Sequence, residues 1–182
     1  LYRYFKIKII YIILMNLTNE SLDNYMDDSD FINSYLRNSS VNKKKRQSLE
    51  QDINNICSLL HYPTQKDLNK TYYRGMRVNR KKLQVGITFF NKGFTSCTTD
   101  QQIALDFSDK CCLFIFTLPK KIKMYKIPNS EEDEIILQPN LRFTITQISK
   151  KTHDLKEAFE NIFYVKISKN KSEVSDDIYI KD

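Results

Sequence analysis

Glycine and histidine are scarce in this chain, and both shortages limit what it can be. The 182 residues include three glycines and two histidines. A collagen-like chain, in which every third residue is glycine, is therefore excluded. We expect Gly75, Gly86 and Gly93 to lie where a side chain would clash, either at a positive φ or at a close backbone approach. With only His61 and His153, a zinc site and a Ser-His-Asp triad are both disfavoured.

Apolar runs long enough to cross a bilayer are not expected either. The run Ile9–Leu17 has nine residues and is interrupted only by Asn16, whereas a spanning helix needs about 20 apolar residues. Its basic-then-apolar order is similar to a signal peptide, but no small-residue cleavage site follows it. A start of translation at Met15 is the alternative. We therefore expect residues 1–15 to be an extension or a weak signal-like segment, and we expect no membrane span.

The cysteines do not form a recognisable motif. The four cysteines show no CxxC and no paired metal-ligand spacing. Adjacent cysteines such as Cys111 and Cys112 are poorly placed to bridge each other. We therefore expect reduced thiols and no bound metal.

Apolar and aromatic residues, in contrast, are well supplied. They make up 41% and 12% of the chain, which is enough to bury a core and excludes a largely disordered chain. The length predicts one domain. A net charge of +7 and a pI near 9.1 permit a nucleic acid, an anionic membrane or a polyanionic small molecule as partner, without choosing among them.

The first third of the chain has a helical pattern. From Ser21 to about Leu60, apolar residues recur at steps of three and four, which predicts two or three amphipathic helices. The segment Asn38–Gln47 contains turn formers and the basic run KKKR, so we predict a connection between helices there. A solvated loop and a phosphate contact are the two interpretations of that basic run.

After Pro63 the pattern changes to short strands. Eight segments are rich in β-branched and aromatic residues: TYYRGMRV, ITFF, GFTSCT, CCLFIFTL, KMYKI, EIIL, LRFTITQI and FYVKI. One helix is predicted at Asp100–Asp109, with Ile103, Ala104 and Phe107 on one face. Crossover helices are missing, so we predict an α+β fold in which N-terminal helices precede two packed, mostly antiparallel sheets. The predicted domain covers residues 16–168, divided into a helical lead-in (16–70) and a β-rich core (71–168), with a polar tail at 169–182.

The first polar stretch in these strands is Tyr73-Arg74-Gly75. An arginine beside glycine offers a planar guanidinium next to an approachable backbone, which suits a phosphate or a carboxamide. The alternative is an arginine on an edge strand that faces water.

The second stretch is Gly93-Phe94-Thr95-Ser96-Cys97-Thr98, a strand that ends in small hydroxyls just before the predicted helix. Such hydroxyls can orient a carboxylate. Alternatively, Thr98 or Thr99 simply caps the helix.

The third stretch is Ser130-Glu131-Glu132-Asp133-Glu134, which runs directly into the apolar segment Ile135-Ile136-Leu137. If the strand already includes the acids, Glu132 and Glu134 point to one face and Asp133 to the other. Like charges this close raise the pKa of one carboxyl, and a purely structural sheet tends to avoid them. A solvated acidic loop is the alternative.

In this order, Tyr-Arg-Gly, Phe-Thr-Ser-x-Thr with a following A-x-x-F helix, and Glu-x-Glu before an apolar strand resemble the arginine-serine-glutamate class of mono-ADP-ribosyltransferases. The resemblance covers about Tyr25 to Ile167, including the lead-in NYMDDSDFINSYLR, which is similar to that of exotoxin-type members. It implies a split, two-sheet domain that binds NAD in the cleft between its sheets. One departure is Ser96-Cys97-Thr98, where the family usually has Ser-Thr-Ser.

The resemblance also implies a role for each residue. Cleavage of the ribose–nicotinamide bond builds positive charge on the ribose, which a carboxylate stabilises; Glu134 matches the family's catalytic glutamate. Ser96 is expected to hold Glu134 by a hydrogen bond. Arg74 is expected to contact the phosphates or ribose of NAD, and Gly75 to present backbone groups to the nicotinamide amide. For Phe107, stacking on nicotinamide and packing in the core are both open.

Glu132 is expected to determine the acceptor. Similar family members with Glu at this place modify arginine, and those with Gln favour other acceptors. The resemblance therefore implies transfer of ADP-ribose to an accessible arginine of a target protein, with side NAD glycohydrolase activity and no metal. A secreted toxin, a host-cell effector and an endogenous enzyme all fit. The alternatives are an inactive NAD-binding module and a basic nucleic-acid-binding domain; because the basic residues are dispersed, we expect no stable nucleic-acid partner.

Overall fold

The computed structural model describes residues 17–37, 42–76, 78, 83–108, 112–149 and 161–169. The chain divides into two compact units, one ending at Leu60 and the other starting at His61. The expected segment 1–15, Cys111 and residues 170–182 of the expected tail lie outside the described residues. None of the helices in the described part has both the length and the apolar character needed to cross a bilayer.

The first unit consists of helices. Helix α1 covers residues 17–27 of the described chain, α2 is Ser29–Leu36 and α3 is Lys43–Leu59. Asp28 caps α2 by accepting from the Phe31 N–H at 3.1 Å, and Asn42 caps α3 by accepting from the Lys45 N–H at 3.0 Å, each satisfying an amide that the first helical turn leaves open.

The predicted connection at Asn38–Gln47 is wrong in its second half. The basic run KKKR forms the first turn of α3 rather than a loop, because the side chain of Asn42 caps the helix immediately before the run. Its four side chains are exposed, so the whole basic run lies on the solvated surface of a helix.

The second unit begins with a short helix and contains all eight predicted strands. Helix α4 is Gln65–Leu68 and α5 is Gln101–Phe107. The strands are β1 (Tyr72–Met76), β2 (Thr88–Asn91), β3 (Thr95–Thr98), β4 (Cys112–Phe116), β5 (Met124–Lys126), β6 (Glu134–Leu137), β7 (Leu141–Ser149) and β8 (Asn161–Lys169). The α+β class and the order of its elements are confirmed; the predicted domain boundaries stay a prediction.

The strands form one mixed sheet instead of the two sheets that we predicted. Its order is β2-β7-β8-β4-β1-β3-β6-β5, and among its pairs β4 and β8 run parallel while the others are antiparallel. Strand β1 joins the two halves, since it pairs with β4 along five positions and with β3 at Tyr73 and Thr98. One pair of residues therefore converts two expected sheets into a single continuous one.

A large apolar core covers one face of this sheet. Tyr72 and Met76 of β1, Cys97 of β3 and Ile135 and Leu137 of β6 all belong to it. Aromatic rings pack within the same core, such as Phe89 and Phe143 with ring centroids 5.2 Å apart. Residues that alternate with these core residues point to the opposite face.

Helix α5 packs on that opposite face. Ala104 and Leu105 are buried there against Leu113 and Ile162, next to Tyr73. Gly75 makes this packing possible, because a Cβ at that position would lie 1.9 Å from the Ala104 carbonyl oxygen. Gly86 has a φ of 89°. Both glycines therefore sit where the backbone needs them, as expected.

Candidate active site

The three polar stretches lie on strands that are neighbours in the sheet. Strand β3 lies between β1 and β6, and Thr98 is opposite both Tyr73 of β1 and Glu134 of β6. The fold therefore brings the Arg, Ser and Glu segments side by side, although 22 residues separate Arg74 from Ser96 and 38 separate Ser96 from Glu134.

Arg74 is held against the strand that contains Ser96. Its Nη1 donates to the Ser96 carbonyl oxygen at 2.6 Å, and its side chain is half-buried. The alternative of an edge-strand arginine facing water is wrong, because β1 lies inside the sheet between β4 and β3. The guanidinium thus takes a fixed position between two strands.

Ser96 and Glu134 share a face of the sheet. In the β3–β6 register, Ser96 is opposite Ile136 and Thr98 is opposite Glu134, and directly opposite residues point to the same side. Ser96 and Glu134 are thus diagonal neighbours, about 7–8 Å apart in typical sheets. The hydrogen bond expected between their side chains stays a prediction.

Cys97 points to the other face. It is 5% exposed within the core, and its Sγ lies 3.4 Å from the Ile135 carbonyl oxygen. Burial raises the pKa of the Cys97 thiol; the nearby Arg74 charge lowers it and that of Glu134 raises it again. Of the two positions that depart from Ser-Thr-Ser, Cys97 is therefore a neutral core side chain on the face opposite to Ser96.

The acidic segment is a tight turn that leads into β6. The strand starts at Glu134, so Glu132 lies in the turn rather than on the strand as we considered. Asp133 has a φ of 48°. The Ser130 Oγ accepts from the amides of Glu132 at 3.2 Å and Glu134 at 3.4 Å. The two glutamates are therefore brought near each other by the turn and not by strand alternation.

Electrostatics agrees with that proximity. Partial burial and then the charges of Glu134 and Glu131 raise the pKa of the exposed Glu132 carboxyl above its ordinary value of 4.5. The expected elevation of one carboxyl's pKa in the Glu-x-Glu segment is confirmed in direction.

The start of α5 differs from the expected cap. Asp100 is the N-cap and accepts from the amides of Gln102 and Ile103, so capping by Thr98 or Thr99 is wrong. The Thr98 hydroxyl accepts from the Asp100 amide at 3.0 Å, and the Thr99 hydroxyl donates to Asp133 Oδ2 at 2.7 Å. Both threonines therefore hold the loop before the helix.

Phe107 lies at the end of α5 and is 54% exposed. Packing of Phe107 in the core is therefore wrong; Ala104 and Leu105 are the buried residues of α5. A large exposed aromatic ring remains available to a ligand.

Sequence reasoning missed the residues that shape the turn. Lys126 forms an ion pair with Asp133, on the other side of the carboxylate contacted by Thr99. Ser130 and Asp133 are residue types that ordinarily indicate a turn. The sequence near them does not indicate that Asp133 contacts Lys126 and Thr99. Within the described segments, no three His, Cys, Asp or Glu side chains are gathered so that they could hold a metal ion.

Several solved structures have a similar fold. Vis toxin from Vibrio splendidus matches with a TM-score of 0.64 and 23% identity, covering 90% of this chain and 77% of Vis. The C3 exoenzyme of Clostridium limosum matches at 0.62 and 12%, covering 84% and 85%. BECa of Clostridium perfringens, solved with NADH, matches at 0.64 and 17%, covering 84% of this chain and 43% of BECa. The fold is that of the ADP-ribosyltransferases.

The sequence assigns the family. The family model described as ADP-ribosyltransferase exoenzyme matches residues 6–172, and the chain belongs to this family. A search of curated proteins returns no significant match. The protein is thus a toxin-type, NAD-dependent mono-ADP-ribosyltransferase with NAD as its co-substrate, and enzymes of this type modify protein targets.

Proposed function

We propose that this enzyme transfers ADP-ribose from NAD to arginine side chains. The observation that supports this most strongly is the pair of carboxylates at positions 132 and 134, placed close enough for Glu134 to raise the pKa of Glu132. A guanidinium has a pKa above about 12 and is a poor nucleophile. A carboxylate that positions it and accepts its charge makes attack possible.

Glu134 is proposed as the group that stabilises the ribose as positive charge develops. Its place at the start of β6, half-buried and beside β3, supports this role, because a fixed carboxylate stabilises an oxocarbenium-like transition state. The nicotinamide leaving group departs as a neutral ring and needs no general acid.

The remaining site residues are proposed to bind NAD. Arg74 has a fixed guanidinium whose planar fork suits phosphate, and Ser96 lies on the face of β3 that Glu134 shares. Gly75 is proposed to offer its backbone to the nicotinamide amide, and the exposed Phe107 ring to stack on nicotinamide.

One structural neighbour supports the acceptor class. Vis has been solved in complex with agmatine, a free guanidino compound, and it shares 23% identity with this chain. At that identity the likeness concerns the fold, so the proposal depends on Glu132. Water is the competing acceptor when no guanidinium is present, and we therefore propose NAD glycohydrolase activity as a side reaction.

The deciding experiment uses NAD labelled in the adenosine part, with agmatine and, separately, with a cell lysate. We expect labelled ADP-ribosyl-agmatine, released nicotinamide and labelled proteins whose label is on arginine. Nicotinamide release without any agmatine product would contradict the arginine assignment. Binding of NAD without cleavage would instead indicate an inactive NAD-binding module.

A further inference from the structure

Asp133 lies between the two proposed glutamates and is attached to the sheet on both sides. We propose that Asp133 is a positioning residue that holds Glu132 and Glu134 in the arrangement needed for transfer; this inference rests on the proposed function. The argument comes from its backbone conformation, its two side-chain partners and the place of those partners in the sheet.

The backbone of Asp133 adopts a conformation that few residues accept. Its φ of 48° lies in the left-handed region, which is unfavourable for most L-residues but tolerated by Asn and Asp. The turn is closed by an Asp133 N–H bond to the Ser130 carbonyl oxygen at 3.1 Å and by the Ile127 N–H bond to the Glu134 carbonyl oxygen at 3.0 Å. Such a conformation persists where the surroundings fix it.

The side chain of Asp133 provides that fixation. One carboxylate oxygen accepts from the Thr99 hydroxyl at 2.7 Å and the other pairs with the Lys126 ammonium. Thr99 follows β3 directly, and Lys126 ends β5. The turn is therefore tied both to the strand that contains Ser96 and to its own hairpin partner.

The tie to Thr99 extends the β3–β6 pairing by one position. Thr98 is opposite Glu134 in the ladder, so the next residues outward are Thr99 and Asp133. At this position a side-chain hydrogen bond joins the segments that follow β3 and precede β6, just beyond the last backbone pair of the two strands. Because Glu134 is the first residue of β6, a bond just beyond it restrains both the strand end and the turn that contains Glu132.

Charge favours the ionised form of Asp133, which is the form that makes both contacts. The hydrogen bonds from Lys126 and then from Thr99 hold the pKa of the Asp133 carboxyl below its ordinary value, and the charge of Lys70 acts in the same direction. Asp133 is therefore ionised whenever Glu132, whose pKa is raised, is ionised. Its negative charge is matched by a cation rather than added to the charges of its glutamate neighbours.

The test compares two substitutions at one position. Asp133→Gly keeps the backbone conformation without strain but removes both side-chain contacts, whereas Asp133→Asn keeps an acceptor for Thr99 and tolerates a positive φ. Thr99→Val removes the hydroxyl alone. Lys126→Met removes the ion pair, and Lys166→Met, at an exposed position of β8, is its matched control.

The readouts are kcat and KM with NAD and agmatine, thermal unfolding, and hydrogen exchange of the Ile127 amide in the ligand-free protein. For Asp133→Gly we expect kcat to fall on the order of tenfold to a hundredfold, since small misplacements of reacting groups are costly, while KM for NAD changes less than about twofold. Exchange at Ile127 should accelerate. Thr99→Val should act in the same direction. Lys126→Met and Asp133→Asn, which both lose the ion pair but keep an acceptor for Thr99, should act less strongly, and Lys166→Met should remain close to the wild type.

Several results would overturn the positioning role of Asp133. A wild-type kcat in Asp133→Gly would overturn the inference, and so would equal losses in the Gly and Asn variants, because anchoring through Thr99 then does not matter. If Asp133→Gly does not fold, Thr99→Val decides: an unchanged kcat overturns the inference and a lower kcat with unchanged KM supports it. A wild-type protein that cleaves no NAD would overturn the proposed function itself.

Discussion

The Arg74 guanidinium donates a 2.6 Å hydrogen bond to the carbonyl oxygen of Ser96, across the boundary between β1 and β3. The described register between these strands consists of the pair Tyr73 and Thr98. The arginine side chain thus joins the strands next to the point where their backbones pair, and its acceptor belongs to the residue expected to hold Glu134 by a hydrogen bond. One guanidinium therefore fixes its own position and that of β3.

Arg74→Lys tests whether this fork contacts NAD. Lysine keeps the charge but loses the planar set of donors, and a hydrogen bond to a charged group contributes about 1.5–3 kcal/mol. We expect KM for NAD to rise about tenfold or more. Arg142→Lys, on β7 and outside the candidate site, is the control. An unchanged KM in Arg74→Lys, measured in initial-rate assays, would argue against the contact.

Glu134→Gln and Glu132→Gln separate the two proposed carboxylate roles. Loss of a group that stabilises developing charge costs on the order of a hundredfold or more, so Glu134→Gln should abolish both nicotinamide release and transfer to agmatine. Glu132→Gln should keep NAD hydrolysis and lose transfer. The assay measures both products from one reaction. If the two variants lose both activities equally, Glu132 does not select the acceptor.

Transfer and hydrolysis should respond differently to pH. Burial and the charges of Glu134 and Glu131 raise the pKa of Glu132 above 4.5, so as pH falls, this carboxylate is protonated at a higher pH than an ordinary glutamate. Transfer needs the anion and should decline first. We expect the ratio of ADP-ribosyl-agmatine to free ADP-ribose to fall as pH decreases toward 4.5, and a ratio independent of pH would contradict the role.

The same pKa shift has a consequence for stability. A carboxyl with a raised pKa in the folded state binds its proton more tightly there than in the unfolded chain. Its contribution to the free energy of unfolding therefore decreases as pH rises from its pKa in the unfolded chain to its pKa in the folded protein. Glu132→Gln removes this pH dependence, which chemical denaturation at several pH values can follow.

Gly75→Ala should destabilise the protein by moving α5. The added Cβ would lie 1.9 Å from the Ala104 carbonyl oxygen and 2.9 Å from Ser108, and overpacking of this kind costs about 1–3 kcal/mol. Gly86→Ala is the control, since its Cβ meets no atom within 4 Å and only the φ of 89° opposes it, at about 1–2 kcal/mol.

Thermal unfolding and NAD kinetics distinguish the two glycine variants. Both should unfold at lower temperature, but Gly75→Ala alone should also impair NAD cleavage, because Gly75 belongs to the proposed site and lies against α5. Wild-type kinetics in Gly75→Ala would show that the position of α5 does not affect the site.

The strands could be predicted because their signal is local. Segments such as those around Phe90 and Ile136 are rich in β-branched and aromatic residues and are bounded by turn formers, and all eight appear in the structure. The number of sheets could not be predicted, since it depends on the pairing of Tyr73 with Thr98. Pairing between distant strands is not encoded in the periodicity of either one.

The candidate site divides in the same way. Arg74, Ser96 and Glu134 could be singled out as candidates because their residue types and order form a recognisable pattern. Asp133 could not be given a function, because its φ of 48° and its bonds to Thr99 and Lys126 arise only after the hairpin and β3 have assembled. Whether Phe107 is buried or exposed could not be predicted, because an A-x-x-F spacing does not indicate which face of the helix packs on the sheet.

The position of β8 determines the order in which this sheet can be finished. Although it is the last described strand along the chain, it lies in the interior of the sheet, parallel to β4 and antiparallel to β7. Until residues 161–169 are in place, β4 and β7 present unpaired edges of the type that recruit other chains. A polypeptide that stops before β8 therefore exposes two strand edges at once, and we expect it to be prone to aggregation.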